Sequence, residues 1–144
     1  MQKLHEKNTD ELFSELKEDE DIQNFLAKNQ NEFLLSQSEY LAQLLEKKNL
    51  NKSEVIKNSK VERTYGYHIF SGLKKPSRAK WLAISRAMNL NLDETQYLLR
   101  YMGEGLLYPR NTWDAVIISA IEKNLSVDKT NEMLELLGES PMIG

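Results

Sequence analysis

The sequence predicts an all-α protein, and three observations support this prediction. Apolar residues recur at helical spacing along most of the chain, and no segment alternates apolar and polar residues over the length of a strand. The 6 glycines and 3 prolines are few, and most lie at breaks between the apolar segments. Several segments begin with Asn or Ser three positions before Glu, which is typical of helix N-termini. A chain of 144 residues with 40% apolar composition can bury one core and carry an appendage.

The N-terminal segment, residues 1–36, is predicted to form acidic amphipathic helices. Asn8 with Glu11 begins the first of these helices. Its apolar side continues through Ile22, Phe25, Leu26, Phe33 and Leu34. We therefore expect this segment to be a helical region distinct from the rest of the chain.

Caps and breaks divide residues 37–103 into five helices, which we expect to form the central domain. Ser36 with Glu39 forms a capping box before the first helix, and Ser77 begins the fourth. The second and third helices are short and are followed by a basic loop containing Gly72 and Pro76. The predicted helices run to Asn49, over 52–59, over about 62–70, over 78–88 and from Asn91 to Gly103.

The C-terminal half repeats itself at an offset of 35 residues. NLNLDETQYLLRYMG at 89–103 aligns without gaps to NLSVDKTNEMLELLG at 124–138, with six of 15 positions identical. Each copy follows an apolar helix, the second of these covering about 112–123. The repeat predicts two successive αα-hairpins, so residues 104–144 form a C-terminal helical hairpin. The linker between the hairpins is expected to pack through Leu106, Leu107 and Tyr108.

Charge is distributed unevenly, although the net charge is only −3. Residues 1–46 contain 4 Lys or Arg and 11 Asp or Glu, residues 47–86 contain 11 and 2, and residues 87–144 contain 4 and 9. The three segments therefore carry −7, +9 and −5. A basic centre between acidic flanks is typical of a polyanion-binding surface. A solvated lysine-rich face without a partner is the alternative.

Several signals in residues 41–99 belong together. They are the apolar stripe of the first helix, V-x-x-x-Y-x-x-x-I over 61–69, the loop from Gly72 to Pro76, and the A-M-N-L-x-L stretch ending at Leu92. In the spacing of these features the segment resembles a five-helix, phage-repressor-like (Xre/Cro type) helix-turn-helix domain. The resemblance covers about 60 of the 144 residues. It implies a DNA-binding protein whose recognition helix starts near Glu62.

The resemblance also implies roles for individual side chains. Arg63 would read a guanine in the major groove, since its guanidinium can pair with O6 and N7. Three cations of the following loop would hold the phosphate backbone and set the register. Helical spacing points the side chains of Val61, Tyr65 and Ile69 inward. The predicted DNA contacts are Lys52, Arg63, Thr64, Tyr67, His68, Lys74, Lys75 and Arg78.

The segment departs from the family pattern at three positions. Lys60 stands in the turn where the family places a glycine of positive φ. Ile56 replaces the usual small residue of the second helix, and Gly66 replaces the usual large residue of the third. We expect the last two changes to compensate, because a larger side chain on one helix fills the space left on the other.

Other function classes find no support in the sequence. The chain contains no cysteine, so disulfides and thiolate metal sites are excluded, and this fits a reducing, cytoplasmic compartment. No apolar run has the length of a membrane-spanning helix, and the N-terminus is too acidic for a targeting peptide. We find no nucleophile–base pair, phosphate-binding glycine loop or cluster of metal ligands. The sequence therefore predicts neither an enzyme nor a bound cofactor or metal.

Two functions stay open. The first is a transcriptional regulator that binds double-stranded DNA as a homodimer. The second is a protein-interaction adaptor on a helix-turn-helix scaffold. Its basic face would then dock an acidic protein partner, or the acidic segment 10–21 of the chain itself in an autoinhibitory arrangement.

Overall fold

The computed structural model describes residues 7–29 and 35–144. All regular secondary structure in these residues is α-helical, which confirms the predicted all-α class. The chain divides into two compact units, Met1–Ser36 and Gln37–Gly144.

The first unit contains helices α1 (Thr9–Glu18) and α2 (Ile22–Lys28). The side chain of Asn8 accepts a hydrogen bond from the N–H of Glu11, as the capping pattern predicted. Among the described residues of the predicted apolar stripe, Phe25 is buried, whereas Ile22 and Leu26 are exposed. Phe33 and Leu34, which were predicted to continue the stripe, lie outside the described residues.

The second unit has seven helices in its described residues. Their predicted bounds agree with the structure to within a few residues, and the helix predicted over 52–59 is reproduced. The helix predicted over about 62–70 begins one residue later, at Arg63, because Glu62 is its N-cap. The helices are α3 (Gln37–Lys48), α4 (Lys52–Ser59), α5 (Arg63–Phe70), α6 (Arg78–Ala87), α7 (Leu92–Tyr101), α8 (Thr112–Glu122) and α9 (Val127–Leu136).

Helix α6 lies at the centre of this unit. It packs against α4, α7 and α9, and its contact with α4 is the most extensive of all helix pairs. Trp81, Leu82 and Ile84 of α6 are almost completely buried. Burying each such side chain stabilises the fold by about 1.5–3 kcal/mol. The helices around α6 thus share one core, which the packing of α9 extends into the C-terminal hairpin.

Three helix connections share one backbone design. In each, an asparagine of positive φ ends one helix, a leucine follows, and an Asn or Ser caps the next helix. The φ values of Asn49, Asn89 and Asn124 are 54°, 60° and 55°. The N–H of the leucine donates to the carbonyl five residues earlier in all three cases. Asparagine enters the left-handed region more easily than other non-glycine residues. The predicted repeat thus contains two of three copies of this connector.

The C-terminal hairpin packs directly on the rest of the second unit. The sequence placed a boundary between residues 103 and 104, whereas Gln37–Gly144 forms a single compact unit. The amide of Gln96 fixes the linker by donating to the Leu107 carbonyl and accepting from its N–H, at 3.0 and 2.8 Å. Of the three linker residues predicted to pack, only Leu107 is buried, and Leu106 and Tyr108 are exposed.

Candidate nucleic-acid interface

A three-residue turn joins α4 and α5. Lys60 in this turn has φ 65°, which is the left-handed conformation. A positive φ was expected at this position, where the resembled family places a glycine. Such a conformation costs a residue with a Cβ about 1–2 kcal/mol. Buried Ser59 offsets part of this cost, because its hydroxyl donates to the Ile56 carbonyl and accepts from the N–H of Val61. The turn therefore holds α4 and α5 in a defined relation without glycine.

Gly66 and Ile56 pack against each other, as their paired departure from the family pattern predicted. A Cβ built on Gly66 would lie 2.5 Å from Cγ2 of Ile56, far inside van der Waals contact. Both residues are buried. The absence of a side chain on α5 therefore lets the Ile56 side chain of α4 approach the backbone of α5.

The buried side of α5 differs in part from the prediction. Val61 and Ile69 are buried as expected, together with Phe70. Tyr65 is only half-buried, and the Nζ atom of Lys80 lies 4.5 Å from the centroid of its ring. The expectation that Tyr65 packs inward is therefore met only in part, since the residue is not fully buried and its ring lies against Lys80 of α6.

The outward side of α5 carries the predicted reading residues. Arg63, Thr64 and Tyr67 are exposed, and His68 is half-buried. Arg63 and Tyr67 are four positions apart, as are Thr64 and His68, so each pair lies one turn apart on the helix surface. The guanidinium of Arg63 lies 6.0 Å from the centroid of the Tyr67 ring, a distance at which cation–π attraction orients it. Arg63 forms no ion pair with a described residue, so its donors face solvent.

The loop after α5 brings two lysines to the C-terminal end of that helix. Lys74 and Lys75 are exposed and form no ion pair with the described residues. The backbone N–H of Lys74 donates to the His68 carbonyl at 3.1 Å. The amide of Gln37 donates to the carbonyls of Ile69 and Lys74 at 2.9 and 2.8 Å. This role of Gln37 was not predicted from the sequence, since its partners lie 32 and 37 residues away.

Two other cations have different surroundings. Lys52, the first residue of α4, is exposed and forms no ion pair with a described residue. Arg78 forms a bidentate pair with Asp114, whose two carboxylate oxygens each lie 2.9 Å from a guanidinium nitrogen. Its remaining bonds go to the carbonyls of Gly105 and Leu106. Arg78 was predicted to contact phosphate, but its donors are used in binding the linker and α8.

Glu62 places a carboxylate at the start of α5. Its oxygens accept hydrogen bonds from the N–H groups of Tyr65 and Thr64, at 2.8 and 3.0 Å. These bonds hold the pKa of the Glu62 carboxyl below its usual value. The anion-attracting N–H groups at this helix end are therefore already occupied by a charge of the protein.

Comparisons with protein-family models, with curated proteins and with solved structures find no match to this chain. In the described residues, no group of three or more His, Asp or Glu is arranged to hold a metal ion. None of the helices described has the length and apolar character needed to cross a bilayer.

Proposed function

We propose that the chain is a DNA-binding transcriptional regulator. In this proposal α3–α7 form a five-helix, repressor-like helix-turn-helix domain, and α5 enters the major groove. The observation that supports it most is the outward face of α5, which presents Arg63, Thr64 and Tyr67 next to Lys74 and Lys75. These cations have no acidic partner in the described residues, so they are available to an anionic ligand.

The side chains divide by chemistry into readers and anchors. Arg63, held near the Tyr67 ring, is the base reader, because a guanidinium pairs with guanine through two donors. Lys52, Lys74 and Lys75 contact phosphates and fix the register, since an ammonium group carries no base information. Thr64 and His68 add hydrogen bonds to bases or phosphates. Arg78 is omitted from the interface because Asp114 and two carbonyls engage it.

The test is DNA binding by the purified chain, followed by selection from a random duplex library. Three phosphate contacts predict that log K falls with log salt with a slope of about −3. Arg63→Ala should relax sequence preference by about 1–3 kcal/mol at one base pair. Lys75→Ala should weaken all sequences alike and reduce the slope by about 1.

Lys123→Ala serves as the matched control, because it removes one exposed cation outside the basic segment 47–86. A homodimer would select inverted repeats whose half-sites lie about 10 base pairs apart. Binding that is insensitive to salt, or equal losses from Lys75→Ala and Lys123→Ala, would contradict the proposal.

A second candidate function is an adaptor that docks an acidic protein on the same surface. Two observations favour it: Glu62 occupies the N-terminus of α5, and Leu73 is 67% exposed beside Lys74 and Lys75. An apolar side chain among cations suits a protein interface as well as a phosphate backbone. Loss of an acidic protein partner on Leu73→Ser, with no measurable DNA binding at low salt, would favour this second function.

A further inference from the structure

A buried arginine in α6 has no acidic partner. Arg86 is 4% exposed, and its guanidinium donates to the carbonyls of Leu90 and Leu125, at 2.5 and 3.1 Å. Its Nε has no hydrogen-bond partner in the described residues. No Asp or Glu of those residues forms an ion pair with it. A buried cation without a counter-charge is unfavourable, so this site favours the approach of an anion.

Arg86 lines an open groove of about 410 Å³. The groove lies between the end of α4, the end of α6 and the beginning of α9. Its polar lining residues include Asn58, Lys60, Arg86, Asn124, Ser126 and Asp128.

The N-terminus of α9 faces this groove. Ser126 caps the helix by accepting from the N–H of Lys129, and the N–H groups of Val127 and Asp128 have no acceptor within the helix. Such N–H groups, together with the helix dipole, form a favourable environment for an oxyanion. The buried guanidinium of Arg86 is a second, independent feature that favours negative charge in the same groove.

We propose that this groove binds a small molecule through an oxyanion group, either a carboxylate or a phosphate. Arg86, Lys60 and the N-terminus of α9 would hold the anionic group. The polar side chains of Asn58 and Asn124 would contact the rest of the ligand. This site is separate from the proposed DNA contacts and does not depend on DNA binding.

Asp128 is the acidic residue among the polar groups that line the groove. Its Oδ2 lies 3.4 Å from Nζ of Lys60, and the two side chains are 64% and 46% exposed, respectively. An exposed ion pair is weak, so an incoming oxyanion can replace Asp128 as the partner of Lys60. Lys60 and Arg86 outnumber Asp128, which leaves the groove with one uncompensated positive charge for the ligand.

The experiment is an NMR titration of the full chain at constant ionic strength. Inorganic phosphate is added in one series and succinate in another, with sodium chloride alone as the reference. We expect saturable shifts of the Val127 and Asp128 amides and of the Arg86 Nε–H in at least one series. The series with the lower dissociation constant identifies phosphate or carboxylate as the preferred group. Lack of saturation in both series would overturn the proposal.

Two variants and a control test the assignment to the groove. Arg86→Gln should weaken binding by about tenfold or more, because it removes a charge-assisted contact. Asp128→Asn should tighten binding by about fivefold, since it removes a like charge next to the ligand. Arg100→Gln changes an exposed arginine outside the groove and should leave the affinity for the anion unchanged. Equal affinities in all three variants would overturn the site.

Asp128→Asn decides the result if Arg86→Gln does not fold, because Asp128 is exposed and outside the core. Tighter saturable binding in this variant supports the groove as the site. Unchanged or weaker binding places the anion elsewhere and rejects the proposal.

Discussion

At the scale of single residues, the contact of Gly66 with Ile56 shows how two unusual residues form one ordinary packing unit. A glycine in a helix interior costs about 1 kcal/mol relative to alanine. The side chain of Ile56 fills the space that this glycine leaves, and it is 2% exposed. The loss of helix propensity on α5 is thus offset by burial on α4. The same contact sets how closely the two helices approach.

Gly66→Ala should destabilise the protein despite the better helix propensity of alanine. The new Cβ would lie 2.5 Å from Cγ2 of Ile56, and a β-branched side chain in a helix has little freedom to move away. Overpacking costs about 1–3 kcal/mol. Ile56→Ala alone should cost about 2–4 kcal/mol through the cavity that it leaves.

The double variant, measured by urea denaturation, should lose at least about 1 kcal/mol less than the sum of the two single changes. The reason is that the alanine methyl at position 66 then enters the space that Ile56 vacates. Additivity within about 0.5 kcal/mol would show that the two residues do not pack as a unit.

Glu62 has two effects that one substitution can separate. Its folded-state pKa is lower than the ordinary value of 4.5, so its stabilising contribution is present above that pH and is lost as the pH falls through the lower value. Glu62→Ser keeps an oxygen at the N-cap but removes the charge. We therefore expect a shallower loss of stability in acid denaturation, together with tighter DNA binding at neutral pH.

Glu46→Ser is the matched control, since it removes an exposed carboxylate of α3 that caps no helix. If both variants change acid stability equally, the N-cap bonds of Glu62 do not account for its pKa. If Glu62→Ser leaves DNA affinity unchanged, the start of α5 does not approach phosphates.

At the scale of helices, local signals in the sequence predicted most element bounds. Asn51 and Asn91 cap helices through their side chains. Their Oδ1 atoms accept hydrogen bonds from the backbone N–H groups of Glu54 and Glu94, at 3.1 and 2.9 Å. Such caps involve residues three positions apart, so the sequence records them directly. Contacts between distant residues leave no such record. The partner of Arg78 lies 36 residues away, which is why a phosphate contact was predicted instead of the pair with Asp114.

The pair of Arg78 and Asp114 should hold the C-terminal hairpin against the start of α6. Asp114 is 5% exposed and also accepts from the N–H of Tyr108 at 3.0 Å. Arg78→Ala leaves this carboxylate without its counter-charge and should lower the free energy of unfolding by about 2–4 kcal/mol. This loss is smaller than for a fully buried ion pair because Arg78 is partly exposed. Urea denaturation measures the loss.

Hydrogen exchange should locate the effect of this substitution in α8 and the linker. Arg110→Ala, which changes an exposed arginine of the same linker, should stay within about 0.5 kcal/mol of the original protein. A loss in Arg78→Ala no greater than in Arg110→Ala would mean that the pair does not anchor the hairpin.

At the scale of the whole molecule, the two compact units differ in net charge. Residues 1–36 carry 4 Lys or Arg and 9 Asp or Glu, a net charge of −5, and residues 37–144 carry the remaining 15 and 13, a net charge of +2. The structure separates these parts after Ser36, whereas the change from net negative to net positive charge comes ten residues later, at Lys47. The sequence did not predict that the hairpin joins the central helices in one unit, because that depends on the distant contacts of Arg78 and Gln96.

Removing residues 1–36 should therefore leave a folded protein that binds DNA more tightly. The second unit contains its own core, so the melting temperature of the fragment 37–144 should lie within about 3 °C of the original transition. At low salt, the loss of five net negative charges should raise DNA affinity, because long-range repulsion from phosphates falls.

If this repulsion is the whole effect, the gain should nearly vanish at about 0.3 M salt, where the screening length is well under 10 Å. A gain that persists at high salt indicates that the acidic segment covers the basic face directly. An unchanged affinity at every salt concentration would show that the segment does not oppose DNA binding.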